Sequence, residues 1–547
     1  MSRAIDHLMI APVVLPLATG AVMLLFSERR RTFKATVNVA STFALVGIAA
    51  ALLQMADASS TSAASARVAV YRLGDWPAPF GIVLVLDRLS ALMLLLTGIL
   101  AAASVVFSLA RWHCAGAQFH SLFQFLLMGL NGAFLTGDLF NLFVFFEVLL
   151  AASYGLALHG SGAARVTAGL HYIAINLGAS LLFLIGVSLI YGIAGTLNMA
   201  DLALRIPHIA AGDRALLETG AGILGVAFLL KAGMWPLCFW LPSTYAAAAA
   251  PVAALLAIMT KVGVYIVLRL WLTLFGEAAG ASAQFGGEWI LWGGIATVTF
   301  GAAGTVASQH LGRLAAYSVL VSSGTVLAAI GMGQVGVTGG ALFYLVSSTL
   351  GISAFFLLIE LVERGREPSQ DALAAAWEAV EGEESFDAEE EIGIAIPAIT
   401  ALLSLSFIGC ALVVAGLPPL SGFVGKFALL TAALNPSGIA QGGGPVTALA
   451  WTLLLVLSLS GLATLIAMTR AGIRAFWAPP DRAEPRVQVI EIAPVVVLLL
   501  LCAVQTVQAG PIMRYMRATA ESLYTPHGYI ADVLEPMQPS ARKEGIP

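Results

Sequence analysis

Four charged side chains lie deep inside apolar segments of this sequence. They are one glutamate and three lysines: Glu147, Lys231, Lys261 and Lys426. A charge at the centre of a membrane helix costs at least about 2.5–3.5 kcal/mol on insertion scales, so such groups normally face the bundle interior, pair with one another or line water. Burial and a nearby opposite charge shift the pKa of a side chain in opposing directions. A carboxylate and amines that pair and separate can therefore take up and release protons, and this set predicts a line for proton translocation.

The spacing within the segments places two of these charges at a similar depth. Glu147 follows Asp138 by nine residues, which is about 14 Å along a helix at 1.5 Å per residue. Lys261 follows Pro251 by ten residues, which is about 15 Å by the same rise. With Asp138 at an interface, both groups lie near the centre of a hydrocarbon layer about 30 Å thick.

Two of the apolar segments are too long for one crossing and contain matching interruptions. The first is interrupted at Gly233 and Pro236, and the second at Gly416, Pro418 and Pro419. The two glycines are 183 residues apart (416 − 233). Corresponding broken helices in two halves are typical of transporters built from inverted repeats, and they indicate the transport site. We therefore predict that helices 7 and 12 are broken at equivalent positions of an inverted repeat.

The composition is typical of a helical membrane protein with many spans. Of the 547 residues, 59% are hydrophobic and only 11% are charged, and apolar runs long enough to cross a bilayer recur from end to end. We predict an all-α polytopic membrane protein with 14 transmembrane spans, approximately 8–27, 35–56, 82–109, 118–136, 139–158, 166–195, 217–247, 251–275, 288–306, 313–332, 339–361, 392–434, 446–474 and 489–510. Positive charge follows the first run, so this run is predicted to be a true span and not a cleavable signal.

The same composition argues against several kinds of site. The formal net charge is −4 and the basic residues form no single patch, so nothing indicates nucleic-acid binding. The four cysteines are far apart and form no CxxC motif, which argues against an iron–sulfur site and a disulfide framework. We expect no cofactor and no metal in this chain.

The basic residues of the loops predict the orientation and the division of the chain. With the N-terminus outside, the cytoplasmic loops hold Arg29 to Lys34, Arg111, Arg165, Arg313, Arg364, Arg366, Arg470, Arg474, Arg482 and Arg486. The positive-inside rule fits this arrangement, which leaves both termini periplasmic. We divide the chain into N-terminal helices 1–3 (1–117), a first repeat of helices 4–8 (118–275), a second repeat of helices 9–13 (276–474), and the last helix with a tail (475–547). An acidic cytoplasmic insert at 363–391 is typical of a solvated loop and is assigned no site.

Two further polar residues are weaker candidates for supporting the predicted line for proton translocation. Asp138 stands near the end of a span, where interfacial anchoring is the expected role. His171 lies about two turns inside the sixth span, counted from Arg165. Its expected role is that of a packed, hydrogen-bonded side chain, with a proton relay as the alternative.

Four motifs resemble the antiporter-like subunits shared by respiratory complex I and the Mrp cation/proton antiporters, and within them the D-type subunits of Mrp (Pha) complexes. The motifs are GDLFNLFVFFE, LLKAGMWPLCFWLP, TKVGVY and GLPPLSGFVGKF. The resemblance implies two inverted five-helix repeats and identifies the family's buried charged line as Glu147, Lys231, Lys261 and Lys426. It also implies obligatory partner subunits of the A/B, C, E, F and G types.

The eleventh span departs from many of these relatives, which carry a pair of histidines and a lysine there. The segment YLVSSTLGISAFF has Ser347, Ser348 and Ile352 at those places. Serine hydroxyls form hydrogen bonds but do not titrate near neutral pH. A relay from Lys261 to Lys426 must therefore run through water and hydroxyl groups, or be absent.

The resemblance implies a proton-translocating subunit of a multisubunit Na⁺ or K⁺/H⁺ antiporter, and not an enzyme. A proton-pumping membrane subunit of an NADH:quinone oxidoreductase or hydrogenase-like complex is the alternative. A membrane module of an inorganic-carbon uptake system is a third interpretation. The exchanged cation stays open, because no span shows a carboxylate cluster assignable to sodium.

Overall fold

The computed structural model describes residues 7–58, 68–364, 398–436, 446–477 and 487–535. Apart from its first two residues, the predicted acidic insert 363–391 lies outside these ranges. The first half of the chain contains α1 (Ala11–Leu24), α2 (Arg31–Ala58), β1 (Ala69–Arg72), β2 (Val83–Leu86), α3 (Arg88–Ser108), α4 (Phe119–Leu135), α5 (Leu139–Ala157), α6 (Ala163–Ala194), α7 (Met199–Arg205), α8 (Ala211–Ala232), α9 (Leu241–Ala247) and α10 (Ala250–Leu274). The second half contains α11 (Gly287–Ala307), α12 (Leu311–Gly331), α13 (Val335–Arg364), α14 (Ala398–Ala415), α15 (Ser421–Leu434), α16 (Ala448–Phe476), α17 (Val489–Val507), α18 (Ala509–Tyr524) and α19 (His527–Leu534).

The helices confirm the predicted all-α membrane architecture. Within the described ranges, 12 helices are at least 18 residues long and apolar enough to cross a membrane, and three shorter apolar helices are α1, α4 and α15. The total of 14 spans and the repeat boundaries stay predictions.

The third predicted span, 82–109, begins later than the sequence indicated. Residues Val83–Leu86 form a strand that pairs antiparallel with Ala69–Arg72. The helix starts at Arg88, because the Asp87 carboxylate accepts a hydrogen bond from the Ser90 N–H and the Ser90 hydroxyl accepts one from the Asp87 N–H. Such a reciprocal cap satisfies donors that a helix start leaves without partners, and it fixes the boundary. The run VLVL is apolar, so hydropathy alone does not separate it from the span.

Both predicted breaks end a helix with the same backbone geometry. α8 is followed by Gly233 at φ +73°, and α14 by Gly416 at φ +76°. In the first break the N–H of Met234 donates to the Leu229 carbonyl at 2.9 Å, and in the second the N–H of Leu417 donates to Leu412 O at 2.9 Å. This is the Schellman ending, which needs a left-handed residue and therefore favours glycine. The donors are 183 residues apart (417 − 234) and so are the acceptors (412 − 229), which supports the predicted repeat.

The most enclosed helices are α10, α12 and α13. Over their most apolar windows, 100% of the residues of α10, 94% of α13 and 89% of α12 are buried inside the chain. A lysine on one of these helices has no direct route to lipid or to the membrane surface. Its side chain must find its partners within the protein.

One end of the bundle gathers basic residues from three predicted cytoplasmic loops. Glu360 on α13 binds Arg364 at 2.5 Å and lies 3.9 Å from Arg111. The indole N–H of Trp112 also donates to Glu360 at 2.6 Å. The guanidinium of Arg165 stacks over the Trp112 ring, 5.3 Å from its centroid. These arginines were assigned to the same side by the positive-inside rule, and the side of the membrane itself stays a prediction.

Candidate functional site

Lys231 is held in the last turn of α8, next to the first break. Its side chain is 6% exposed. The ammonium lies 3.4 Å from the amide oxygen of Asn176 on α6 and 4.9 Å from the ring centroid of Phe146 on α5. A carbonyl oxygen and an aromatic face both attract a cation without carrying a full negative charge. Lys231 is therefore buried among neutral partners.

Asn176 is oriented by its own helix. Its Nδ2 donates to the Tyr172 carbonyl at 2.9 Å, so the amide oxygen is left to face Lys231. The amide has only one oxygen to offer as an acceptor. The orientation of the asparagine is thus set by two bonds that agree with each other.

Glu147 binds a different residue of the same helix. Its carboxylate accepts a hydrogen bond of 2.5 Å from the hydroxyl of Ser180, and the residue is only half-buried. Glu147 and Lys231 form no ion pair within 4.0 Å in the part of the chain that the structure describes. Since Asn176 and Ser180 are four residues apart, they lie one above the other on one face of α6. In this structure Glu147 and Lys231 are therefore separate, and each binds a neutral residue of α6.

A small cavity leads from Lys231 towards α10. It measures about 20 Å³, and the polar residues that line it are Tyr172, Asn176, Lys231, Trp240, Tyr245 and Thr260. Thr260 directly precedes Lys261 in sequence. The Tyr245 hydroxyl is 2.6 Å from Thr260 Oγ1, and the Trp240 indole N–H has no partner among the described residues. A space of this size holds about one water molecule where polar groups line it. A partly polar space therefore extends from Lys231 to Thr260, the residue that precedes Lys261.

Lys261 occupies the centre of α10 and is 1% exposed. Its ammonium donates to the hydroxyls of Ser322 at 2.7 Å and Ser323 at 3.1 Å, both on α12. The Ser322 hydroxyl lies 2.7 Å from that of Ser348 on α13, which donates to the Leu345 carbonyl at 3.2 Å. An ammonium has donors only, so the hydroxyl of Ser322 accepts from the lysine and is free to donate to Ser348.

The second predicted serine continues towards the twelfth helix. The Ser347 hydroxyl lies 2.6 Å from that of Ser421, the first residue of α15. Ile352, which stands where many relatives carry a lysine, is buried and apolar. Hydroxyl contacts therefore reach α13 from Lys261 and leave α13 for α15, through two consecutive residues.

Lys426, the last residue of the predicted line, lies next to the second break. Its ammonium donates to the carbonyl of Ala415 at 2.8 Å and lies 5.9 Å from the ring centroid of Tyr344. Ala415 is the last residue of α14, whose final carbonyls have no helical partner. A Cβ added to Gly416 would approach Lys426 Cδ to 2.6 Å. The glycine therefore allows both the turn and the position of the lysine.

The two supporting candidates lie apart from this line. His171 is exposed on the outer face of α6. Asp138 caps α5, where its carboxylate accepts the N–H groups of Phe140 at 2.8 Å and Asn141 at 3.0 Å. Burial raises the pKa of Asp138, and the two backbone donors oppose that shift. Its position agrees with an anchoring role, and neither residue contacts the lysines.

Sequence reasoning missed the neutral residues that bind the charges. They are Asn176, Ser180, Ser322, Ser323 and Ser421. The sequence contained little indication that these residues bind charges, because isolated serines and asparagines in apolar helices frequently bond to their own backbone. Only the spacing of Asn176 and Ser180 on one face indicated a shared environment.

Comparison with known proteins gives a consistent result. Residues 136–441 match the family described as NADH:quinone oxidoreductase/Mrp antiporter, TM. The chain is 59% identical over 526 residues to the D-type subunit of a probable K⁺/H⁺ antiporter of Rhizobium meliloti, covering 96% of this chain and 97% of the relative. It is 33% identical to the D-type subunit of a Na⁺/H⁺ antiporter of Alkalihalophilus pseudofirmus, over 97% of this chain and 100% of the relative.

Two solved assemblies contain chains of similar fold. One is the Mrp complex from Dietzia sp. DQ12-45-1b, with 25% identity, a TM-score of 0.77, and coverage of 97% of this chain and 99% of that chain. The other is an archaeal membrane-bound sulfane sulfur reductase, with 22% identity, a TM-score of 0.79, and coverage of 97% and 100%. At that identity the second likeness concerns the fold alone.

Proposed function

The chain belongs to the NADH:quinone oxidoreductase/Mrp antiporter transmembrane family, and from this premise we propose how it moves protons. It is the D-type subunit of a multisubunit monovalent cation/proton antiporter, a transporter component and not an enzyme. Protons pass along the line Glu147, Lys231, Lys261 and Lys426. The observation that carries this assignment is that all three buried ammonium groups bind only neutral oxygen atoms among the described residues.

The gate of this line is the pair formed by Glu147 and Lys231. A lysine amine changes its protonation readily when buried, and a nearby carboxylate stabilises its charged form. When Glu147 leaves Ser180 and approaches Lys231, the lysine keeps its proton. When Glu147 returns to Ser180, the lysine is left with Asn176 and the ring of Phe146, and its proton is released. The 2.5 Å bond from Ser180 supports this role, since it gives the carboxylate a second stable position.

The proton released by Lys231 moves towards Lys261 through the cavity that extends from Lys231 to Thr260. A water molecule in this space accepts hydrogen bonds from the lysine and from the indole of Trp240, and it passes the proton towards Thr260 and Lys261. The 20 Å³ volume and the polar lining support this step. The Tyr245 and Thr260 hydroxyls, 2.6 Å apart, form the far wall.

Hydroxyl groups replace the titratable residues in the second half of the line. Lys261 donates to Ser322, which contacts Ser348, and Ser347 contacts Ser421 at the start of the helix that carries Lys426. A hydroxyl accepts one proton and donates another, so it relays without holding a charge. Water joins the two parts at α13 and between Ser421 and Lys426.

The cation exchanged for protons is K⁺ in our proposal. The relative that is 59% identical carries the name of a K⁺/H⁺ antiporter, whereas relatives named for Na⁺ are 33% and 31% identical. Inward proton flow then drives K⁺ out of the cytoplasm. If the numbers of protons and K⁺ ions exchanged are unequal, net charge crosses the membrane. The membrane potential then contributes about 2.3 kcal/mol per charge per 100 mV to the free energy that drives the exchange.

The protein is a multi-pass membrane protein that functions with other subunits. We place it in the bacterial inner membrane with both termini periplasmic, as the loop arginines indicate. Its partners in this proposal are subunits of the A/B, C, E, F and G types. The carboxylate of Glu147 is only half-buried within this chain, and a charge that faces lipid is costly. This supports a partner subunit that covers the face of α5 carrying Glu147.

The test is cation-dependent proton movement in everted vesicles that contain the complete set of subunits. After acidification of the interior, KCl, NaCl or choline chloride is added to vesicles with wild-type, Lys231→Ala or His171→Ala protein. We expect KCl to restore the pH in wild-type and His171→Ala vesicles and not in Lys231→Ala vesicles. A stronger response to NaCl than to KCl would show that the exchanged cation is Na⁺ and not K⁺. Full activity of Lys231→Ala, in protein shown to assemble, would overturn the proposed line.

A further inference from the structure

A threonine of α11 completes the first break. The Thr297 hydroxyl oxygen accepts a hydrogen bond of 2.8 Å from the backbone N–H of Trp235. The same hydroxyl donates to the Gly293 carbonyl of its own helix at 2.6 Å, and Thr297 is 0% exposed. A hydroxyl has one hydrogen to donate and an oxygen that accepts. The bond to Gly293 therefore uses the hydrogen and leaves the oxygen for Trp235.

Trp235 is the first residue beyond the hydrogen bonds that end α8. The N–H groups of the two residues before it donate to carbonyls in the last turns of α8, at 3.1 and 2.9 Å. The next N–H, that of Trp235, donates instead to Thr297 on α11. Backbone groups freed by a break in a membrane helix are costly unless neighbouring helices, often through serine or threonine side chains, satisfy them. A side chain of the predicted second repeat therefore satisfies the break of the first.

Met234 adds a packing contact between the same two segments. A Cβ on Gly293 would lie 2.8 Å from Cε of Met234, so the glycine provides room for this side chain on α11. Met234 precedes Trp235, and Gly293 lies one helical turn before Thr297. The segment after the break is therefore held on one turn of α11 by a hydrogen bond and by packing.

The helices α11 and α12 pack with their backbones in close contact. A Cβ on Gly324 of α12 would lie 2.8 Å from the carbonyl oxygen of Gly294 and 2.9 Å from Cβ of Thr297, both on α11. A Cβ on Gly294 would lie 2.8 Å from Cα of Ala328 on α12. Small residues allow membrane helices to approach this closely, and the space is too narrow for a side chain that could rearrange. The two helices therefore form one packed unit.

The same unit binds the second lysine of the line. Ser322 and Ser323 on α12 accept from the Lys261 ammonium at 2.7 and 3.1 Å. Thr297 on α11 binds Trp235, which follows Lys231 by four residues (235 − 231). One pair of helices therefore contacts Lys261 directly, and it contacts the break beside Lys231 through Thr297.

We propose that Thr297 is a positioning residue for Lys231, and that the α11–α12 pair couples this lysine to Lys261. The inference rests on the proposed function, in which both lysines gain and lose a proton. An ammonium has donors only. When Lys261 gives up a proton, its nitrogen gains a lone pair and can accept from one of the two serines, which changes the contact between α10 and α12. The packed pair carries this change to Thr297, and Thr297 carries it to the turn that positions Lys231.

The first test is hydrogen–deuterium exchange at the Trp235 amide in the purified complete complex. A hydrogen-bonded amide exchanges slowly, because its bond must open first. We expect exchange at least about tenfold faster in Thr297→Val, which keeps a similar shape without the hydroxyl, and wild-type exchange in Thr297→Ser. Thr299→Val is the matched control, since among the described residues the Thr299 hydroxyl bonds only to the Ile295 carbonyl. Wild-type exchange in Thr297→Val would overturn the inference.

The second test is KCl-dependent proton movement in everted vesicles that contain the complete set of subunits. We expect a loss of about tenfold or more in Thr297→Val, with activity restored in Thr297→Ser and unchanged in Thr299→Val. Combining Thr297→Val with Ser322→Ala should lower the rate no further than the more severe single variant, because both act through the α11–α12 unit. A combined loss of about a hundredfold, the product of two independent tenfold effects, would overturn the coupling.

Thr297→Ala covers the case in which the valine variant does not assemble, since it removes the same hydroxyl with a smaller side chain. In wild-type protein, a Trp235 amide that exchanges as fast as an unbonded loop amide would also overturn the inference. Full activity of Thr297→Val together with loss of activity in Lys231→Ala would overturn this inference and leave the proposed function intact. Full activity of Lys231→Ala would overturn the proposed function, whereas the exchange result at Trp235 would stand.

Discussion

Asn176 and Ser180 lie one turn apart on α6 and hold the two opposite charges of the candidate gate apart. Asn176 accepts from the Lys231 ammonium at 3.4 Å, and Ser180 donates to the Glu147 carboxylate at 2.5 Å. Both charged groups therefore have a neutral partner on the same helix face. In the proposed gate, these two hydrogen bonds stabilise the separated state, because each charge keeps a partner when the ion pair is open.

Asn176→Leu should impair transport by removing the acceptor of Lys231 while filling a similar volume. A hydrogen bond to a charged group is worth about 1.5–3 kcal/mol, so we expect the rate of cation-dependent proton movement to fall by about tenfold or more. The control is Leu177→Ala, an exposed site on the same helix. Equal rates for Asn176→Leu and wild-type vesicles would show that Lys231 does not depend on this amide.

Ser322→Ala should interrupt the hydroxyl relay beyond Lys261. The variant removes the 2.7 Å contacts to Lys261 and to Ser348 and leaves only Ser323 as acceptor. We expect a loss of about tenfold in the same vesicle measurement. Ser318→Ala is the matched control one turn away, since among the described residues its hydroxyl bonds only to the carbonyl of Leu314. If the two variants behaved alike, the relay through Ser322 would be ruled out.

Gly416→Ala should displace Lys426 and strain the second break. The added Cβ would approach the lysine Cδ to 2.6 Å, and the residue would have to adopt φ +76°. A non-glycine residue in such a conformation costs of order 1–3 kcal/mol. We expect lower thermal stability of the complex together with at least a tenfold loss of transport.

Gly178→Ala is the control for that substitution. No atom of the described ranges lies within 4 Å of a Cβ at this position, which is in the interior of α6. Alanine is favoured over glycine in a helix by about 0.5–1 kcal/mol, so stability should be unchanged or higher. A similar loss in both variants would assign the effect of Gly416→Ala to something other than its geometry.

Asp87→Asn should destabilise the protein through a buried ion pair. The Asp87 carboxylate accepts two hydrogen bonds from the Arg269 guanidinium, at 2.7 and 2.8 Å, and Arg269 is 4% exposed. Removing one partner of a buried pair costs about 3–5 kcal/mol, because the other charge is left without compensation. The thermal unfolding midpoint of the purified complex measures this loss.

Glu521→Gln provides the comparison for an exposed pair. Glu521 binds Arg517 at 3.2 Å, and their side chains are 56% and 71% exposed. Such pairs contribute at most about 1 kcal/mol, so the midpoint should move little. A larger shift for Glu521→Gln than for Asp87→Asn would contradict the assigned difference in burial.

The positions of the charges and breaks followed from local patterns. The lysine and glycine of each break are close in sequence, and Gly233 and Gly416 end their helices because the backbone there needs a left-handed residue. Hydropathy identified the membrane class for the same reason, since it depends on runs of neighbouring residues. It did not separate strand Val83–Leu86 from the following helix, because both are apolar.

The partners of the charges were decided by contacts between distant segments. Lys231 and Asn176 are 55 residues apart, and Lys261 and Ser322 are 61 residues apart. Helix periodicity gives the depth of a side chain and its face, but it does not say which helix that face meets. The same limit hid the buried contact between Asn38 and His120, which are 82 residues apart.

The sequence by itself determined the membrane class, the interrupted helices and the residues that carry charge into the bilayer. Each of these depends on residue type and short-range spacing, and a buried charge is conspicuous because its cost is high. Only the tertiary structure decided that Glu147 binds Ser180 while Lys231 binds Asn176. It also decided that one run of serines joins Lys261 to α13 and another joins α13 to α15. Neutral hydroxyls and amides carry little cost and therefore little signal in the sequence, and their function arises only when packing brings them to a charge.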